Sequence, residues 1–428
     1  MGTFQVGLLL IGTFALLLAL SVPVSVSIII SSVVTMASTL SLDLGTFVAS
    51  QRMVGGVDSF SLLAVPFYIL CGVLMNTGGI AQKLIDFAKI LVGRIPGGLA
   101  HTNILGNTLF GSLSGSSVAA SVAIGGVLIP MEEKEGYDKK FAAAVNIASA
   151  PTGLIIPPSG ILIIYPVLAG MIMSGYIPGL MWALACMVVA YVIAKKNHYP
   201  TAGKVPASVF FKYFVDAIPS LLLIVIIVGG VMSGIFTATE SAAVAVAYTL
   251  FLSIVVYRSI KIKDLPKILL DACETTAVIM FLIAGSNVMS FVMSFTGLPS
   301  AIGNALISVS SNKYVILLII NLVLLVVGCF MDITPAVLIF TPIFLPVVQS
   351  FGMDPIHFGI MMVMNLGIGN ITPPVGSALF SGCSVADMDM EDMIKPILPF
   401  YAAIFVALML VAYVPWFSMA LPTLFGAV

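Results

Sequence analysis

Charge is what this sequence has least of. Of its 428 residues, 8% are Asp, Glu, Lys or Arg and 60% are hydrophobic. Soluble proteins carry about 25% charge, and a soluble chain this apolar has no means of keeping its surface out of water. Cysteine is also scarce. Cys71, Cys186, Cys273, Cys329 and Cys383 are scattered through apolar stretches with no C-x-x-C pair, which argues for small buried residues rather than a metal site. Met1 to Gly12 has no Lys or Arg and no cleavage signal, so no removable signal peptide is expected. A net charge of −1 leaves no basic footprint for nucleic acid. Histidine occurs only at His101, His198 and His357, near a hairpin start, in a loop and at a span end. No catalytic pair at membrane depth results, and an enzyme is not expected.

What is present is apolar sequence long enough to cross a bilayer many times. A spanning helix needs about 20 apolar residues, and an outer-membrane barrel would instead read as short alternating strands. The expected fold is therefore all-α and polytopic, with about ten transmembrane helices and two re-entrant helical hairpins. Spans are expected near 3–20, 23–38, 57–77, 138–169, 175–194, 214–234, 240–257, 273–295, 357–382 and 397–420. A short amphipathic helix near 80–95 is expected at the membrane surface.

The basic residues set the orientation. Fifteen of the 17 Lys and Arg fall in clusters about Lys83–Arg94, Lys134–Lys140, Lys195–Lys212 and Arg258–Lys267, with Lys395; Arg52 and Lys313 fall on the other side. Positive charge stays cytoplasmic, so both termini are expected outside. Segment 98–130 begins and ends among cytoplasmic charges, which predicts a hairpin that enters and returns. A second hairpin is expected near 314–346.

A shift of 216 positions aligns the halves without gaps from about 130 to 160: Pro130 on Pro346, Asp138 on Asp354, Gly153 on Gly369, Pro157 and Pro158 on Pro373 and Pro374, Gly160 on Gly376. The copies read GLIIPPSG and GNITPPVG. The first repeat is placed at 1–200, with scaffold helices in 3–77 and a hairpin and broken helix in 98–169. The second is placed at 201–428, with scaffold helices in 214–295 and a hairpin and broken helix in 314–382. Charge makes the two opposite in orientation, and inverted repeats with interrupted helices mark secondary transporters.

The interruptions carry the candidate chemistry. Proline removes a backbone donor and clashes with the preceding turn, so Pro157–Pro158 and Pro373–Pro374 should unwind their helices and free carbonyls that need partners. A plain kink is the competing reading, weakened by its recurrence at equivalent places. The first hairpin tip, GNTLFGSLSGSS, holds Asn107, Thr108, Ser112, Ser114, Ser116 and Ser117; helix packing by small residues competes here. The second tip reads CFMDITPA, with Asp332 at the place of Ser116 and Thr334 beside it. Asp332 is expected to be the acid deepest in the membrane, hence functional, although an Asp capping a half-helix is a compatible alternative. Across from the tips lie Asn146, Ser149 and Thr152, and Asn365, Asn370 and Thr372. Such oxygens suit hard cations. With no His or Glu expected mid-span, Na+ is favoured over H+, which titration of Asp332 leaves open. Half-helix N-termini would hold an anionic substrate without an Arg.

The runs GNTLFGSLSGSSVAASVAIGGVLIP, NIASAPTGLIIPPSG, MDITPAVLIFTPIFLP and NLGIGNITPPVG resemble the large membrane subunit of tripartite ATP-independent periplasmic (TRAP) transporters over essentially the whole chain. The resemblance implies an inner-membrane permease importing an organic acid, sialic acid or a C4-dicarboxylate, on a Na+ gradient with two or more ions. It implies a periplasmic substrate-binding protein and a small, Q-type membrane subunit as partners, the latter expected as a separate polypeptide. By similarity to divalent anion/sodium symporters it implies an elevator mechanism. Carried over by position, one Na+ site takes Ser114, Ser116 and the Ser149–Gly153 backbone with Thr152; the other takes Asp332, Thr334 and Gly367 to Thr372, including Gly369. Asn107, Ser117, Asn146, Pro157, Pro158, Asn365, Asn370, Pro373 and Pro374 remain as candidate substrate contacts. A channel is the competing class and predicts flux without saturation.

Overall fold

In lipid every backbone group must find its partner within the protein, and helices do so locally. The computed structural model describes residues 2–159, 161–162, 171–201, 207–310 and 312–426, and these contain helices and no strand. The first half runs α1 (Thr3–Ala19), α2 (Val24–Thr39), α3 (Leu42–Val57), α4 (Ala64–Thr77), α5 (Ile80–Val92), α6 (Gly98–Ser114), α7 (Ser117–Lys134), α8 (Lys139–Ser149), the single turn α9 (Thr152–Ile155), α10 (Met171–Ser174) and α11 (Tyr176–Lys196). The second runs α12 (Ala207–Ile224), α13 (Ala238–Phe251), α14 (Leu265–Phe295), α15 (Leu298–Val309), α16 (Lys313–Phe330), α17 (Ile333–Ser350), α18 (Pro355–Asn370), α19 (Ser377–Val385), α20 (Met390–Tyr413) and α21 (Trp416–Leu424). Both α12 and α13 are extended by π-helical turns, Val225–Gly229 and Leu252–Val256.

Among the described residues seven helices are long and apolar enough to cross a membrane, and two of these, α16 and α17, are the arms of the second hairpin. The bent pair α4 and α5, at 70° to one another, forms an eighth if taken as one span. The arms of the first hairpin fall short of that standard, α6 because it has 17 residues and α7 because its 18 residues end in the charged Glu132, Glu133 and Lys134. Large apolar side chains such as Leu16, Phe47, Leu184, Val188 and Val326 stand on the outside, as a lipid-facing surface requires.

Apart from the single turn α10, two described helices lie outside the expected spans. The first, α3, contains Asp43, Gln51 and Arg52 and lacks a continuous apolar run. Its Arg52 guanidinium is placed 4.2 Å from the centre of the Phe291 ring on α14, an attraction that offsets part of the cost of that charge. The second, α15, is 12 residues long, too short to span. Shifted back by 216 it covers 82–93 (298 − 216 and 309 − 216), which falls on the amphipathic α5. The same shift places α20 at 174–197 (390 − 216 and 413 − 216), on α11. The expected span 138–169 is described as α8 and α9 up to Ser159 and at 161–162; Gly160 and 163–169 lie outside the described residues.

Packing groups these helices. Among the first four, α2, α3 and α4 pack on α14, and α13 packs on α4. The face of α2 that packs is small and hydroxylated: Ser27, Ser31, Ser32 and Thr35 are buried, and Ser32 and Thr35 satisfy their hydroxyls on Ile28 and Ser31 carbonyls at 2.7 Å. Small residues let helices approach where lipid supplies no hydrophobic drive. The first hairpin arm α6 packs on α5, α7, α8 and α9, while α16 and α17 both pack on α18. At the open end of the first hairpin the Tyr137 hydroxyl donates to the Pro200 carbonyl at 3.0 Å and its ring stacks on Tyr199 at 4.5 Å. Burial pushes the Tyr137 phenol up to about 12, so it stays a donor at any physiological pH.

Candidate functional site

Each hairpin turns where the sequence breaks the helical ladder. At the first tip Gly115 takes a left-handed φ of 63°, and Ser116 is extended and caps α7, its hydroxyl accepting from the Ala119 amide at 3.2 Å. The second tip is built differently. Asp332 occupies the N-cap position of α17, yet its side chain makes no capping hydrogen bond. The carboxylate turns instead toward the second broken helix. Its Oδ1 accepts from Asn370 Nδ2 at 3.1 Å and from the Ser377 hydroxyl at 3.0 Å.

Asn370 is the junction of that break. Its Oδ1 accepts from the Ala378 amide at 2.7 Å and the Ser377 hydroxyl at 2.8 Å, which caps α19 across the interruption. The amides of Val375 and Gly376 donate to the Cys329 carbonyl on the hairpin arm at 3.2 and 3.3 Å. The Tyr401 hydroxyl donates to the Ile371 carbonyl. Backbone groups freed by Pro373 and Pro374 are thus taken up by the neighbouring hairpin and helix. Both Pro–Pro peptide bonds, 157–158 and 373–374, are cis. Pro157 and Pro158 are buried; Pro373 is half-buried and Pro374 exposed.

The two tips and the second break share one cavity of about 510 Å³. Of the sequence candidates, Ser114, Ser116, Ser117, Asp332, Thr334 and Asn370 line it. The opposite wall is supplied by α4, with Tyr68, Gly72, Asn76 and Thr77, and by α14, with Asp271 and Thr275. These wall residues escaped sequence reading: Asn76 and Thr77 close a span that reads as ordinary, and Asp271 lies just before the expected start of 273–295. Among the described residues two aspartates and no Lys, Arg or His line the cavity. The Ser114 hydroxyl is buried with no partner among the described residues, and Ser117 is 3% exposed. These are hard, uncharged oxygens beside a carboxylate, a donor set of the kind that takes alkali or alkaline-earth cations.

The remaining candidates stand behind the cavity wall. Asn107 is fully buried and its Nδ2 lies within reach of Asn103 Oδ1 (2.9 Å), Asn146 Oδ1 (3.0 Å) and the Ser149 hydroxyl (2.9 Å). Asn146 Nδ2 donates in turn to the Ser121 carbonyl at 2.9 Å, so one polar network ties both arms of the hairpin to α8. Thr152 and Thr108 share a hydrogen bond of 3.1 Å. In the second half Asn365 donates to Asn321 Oδ1 at 2.5 Å, again joining a hairpin arm to a broken helix, and Thr372 bonds back to the Ile368 carbonyl at 2.7 Å. Gly153, Gly367 and Gly369 are buried at helix crossings. Asp332 is exposed to the cavity rather than buried. The fully buried acid among the described residues is Glu132 on α7, 0% exposed, with the Asn103 side chain as its polar neighbour. It sits in the run EEKE at a helix end, which reads in sequence as a solvated charge cluster.

Paired helical hairpins whose tips meet interrupted helices around a shared cavity define a polytopic membrane transport protein. Residues 11–417 match the model of the tripartite ATP-independent periplasmic transporter, DctM component, and the chain belongs to that family. It is 39% identical to the sialic acid TRAP transporter large permease protein SiaM of Vibrio cholerae, over 96% of each chain. It is 38% identical to the C4-dicarboxylate TRAP transporter large permease protein DctM of Pseudomonas aeruginosa, over 86% of this chain and 88% of that one. A protein of Salmonella typhimurium described as uncharacterized, YgiK, is 50% identical over 98% of each chain. The YdaH transporter of Alcanivorax borkumensis shares the fold, with a TM-score of 0.57 at 13% identity, covering 87% of this chain and 88% of that one.

Proposed function

We propose that this chain is the large permease subunit of a Na+-coupled secondary transporter that imports an organic acid delivered by a periplasmic binding protein. The observation that carries this reading is the shared cavity: both hairpin tips and the second helix break open onto one space of about 510 Å³, large enough for a small organic acid. The relatives named for sialic acid and C4-dicarboxylate transport supply the substrate class. Ser114, Ser116 and the Ser149–Gly153 segment would hold one cation; Asp332, Thr334 and the Gly367–Thr372 segment would hold another. The α7 N-terminus, capped by the neutral Ser116, offers the substrate carboxylate its amides and helix dipole.

This reading implies a division of labour. The hairpins and broken helices, 98–169 and 314–382, would move as one body past the helices of 3–77 and 214–295. In the orientation set by the basic clusters, Asn76, Thr77 and Asp271 lie at the cytoplasmic ends of α4 and α14, so the cavity faces the cell interior. A small membrane subunit would join the permease, and both termini would lie in the periplasm of an inner-membrane protein.

The test is uptake into proteoliposomes holding this chain with its small subunit and binding protein. Uptake is expected only with an inward Na+ gradient, and it is expected to saturate. Uptake indifferent to Na+ that follows a pH gradient overturns the coupling, and unsaturable flux without the binding protein indicates a channel.

A further inference from the structure

Trp182 on α11 is fully buried and touches both broken helices. Its indole Nε1 donates to the Ala148 carbonyl at 2.9 Å, and the Cys186 thiol approaches the same oxygen at 3.7 Å. Ala148 immediately precedes Ser149, where the first cation segment begins. On its other side the indole meets the second broken helix. A methyl group added to Gly367 would lie 3.3 Å from Trp182 Cη2 and 3.5 Å from Pro151 Cβ, so the bare backbone of α18 lies close against the ring and against the first break.

The rest of that helix face is built for the same contact. Gly175, Gly179, Trp182 and Cys186 are spaced by four, three and four residues, one stripe of an α-helix. A methyl on Gly179 would fall 2.2 Å from Ile156 Cγ1, and one on Gly175 only 1.8 Å from the Ile155 carbonyl oxygen. The glycines thus press α11 onto the chain around the break, and Trp182 carries the contact onward to Gly367. Interiors packed this closely transmit displacement because they have little room to absorb it.

We propose that Trp182 is a positioning residue that couples the two cation segments, so that occupying one raises the affinity of the other. The proposal rests on the Na+ reading above. Coupling between sites is reciprocal and is typically 5- to 150-fold. Trp182 touches neither ion; it fixes the Ala148 carbonyl and the Gly367 backbone relative to each other.

The experiment is Na+ binding to the purified full chain, read as the thermal-unfolding midpoint against Na+ concentration at constant ionic strength with K+. The wild type is expected to respond sigmoidally. Trp182→Phe removes the Nε1 donor and part of the ring, and is expected to lower the Hill coefficient toward one and raise half-saturating Na+ about 5-fold or more. Should Trp182→Phe not fold, Gly367→Ala disturbs the same contact from the other helix and is read by the Hill coefficient alone, because Gly367 belongs to the second cation segment and its half-saturating Na+ shifts in any case. A purely structural tryptophan would lower the midpoint equally at every Na+ concentration and leave the Hill coefficient unchanged; that result overturns the coupling. A wild type whose midpoint ignores Na+ overturns the Na+ reading itself, which is a different failure.

Discussion

The backbone of Gly153 rests on the backbone of Gly111: a methyl group on Gly153 would lie 2.1 Å from the Gly111 carbonyl carbon and 2.2 Å from its Cα. The second half repeats the contact, with a methyl on Gly369 falling 2.4 Å from Gly328 Cα. In each half a hairpin arm crosses a broken helix at the closest approach two chains allow, one turn or less from the tip. This crossing is what carries each tip to the break.

Gly153→Ala and Gly369→Ala should therefore each force the arm away from the break. The expected cost is about 1–3 kcal/mol or more, read as a lower unfolding midpoint in detergent. Gly12→Ala, where nothing lies within 4 Å, serves as the comparison and is expected to leave the midpoint unchanged. Equal midpoints for all three would mean that the crossings relax freely.

Asp332→Asn retains the size of the side chain and an oxygen for Asn370 and Ser377 while removing the charge. Na+-driven uptake is expected to fall ~100-fold, as for loss of a group that fixes a bound ion, with expression and unfolding midpoint near wild type. Normal uptake at low Na+ would take Asp332 out of the site.

The two N–H groups of the Asn107 amide lie within reach of acceptors on Asn103, Asn146 and Ser149 between the first hairpin and α8. Replacing Asn107 with Ala leaves buried acceptors without a donor, at about 1–3 kcal/mol for each group not rescued by water. The expected result is a lower unfolding midpoint and loss of uptake in proportion to folded protein. Loss of uptake with an unchanged midpoint would instead assign Asn107 to substrate or ion contact.

Asp271 puts a second carboxylate on a cavity that, among the described residues, has no basic side chain in its lining. An anionic substrate meets repulsion of about 1 kcal/mol at 4 Å through water. Asp271→Asn is expected to lower the apparent KM for an organic acid severalfold, and more for a dianion than for a monoanion. An unchanged KM for both would place Asp271 outside the path of the substrate.

Composition by itself determined that this chain lives in lipid as helices, because 60% apolar residues leave the backbone no other way to satisfy itself. The 216-residue offset marked both Pro–Pro breaks and both tips in advance, since proline and small polar residues interrupt a helix through local backbone chemistry that needs no neighbour. Tertiary structure decided which of the marked residues share a space. Asn107, Asn146 and Asn365 read like Asn370 in sequence, yet they turn into helix crossings while Asn370 turns to the cavity, because that depends on which helix crosses which. The wall from α4 and α14 was illegible for the same reason: Asn76 and Thr275 belong to spans that look ordinary, and Asp271 to the residues just before one, until packing sets them opposite the tips. Asp332 stood out in sequence as a costly acid in apolar surroundings. The fold opens it onto the cavity between the tips, whereas the acid it fully buries, Glu132, comes from a run that looked solvated. Local chemistry wrote the breaks; the arrangement of distant helices assigned their partners.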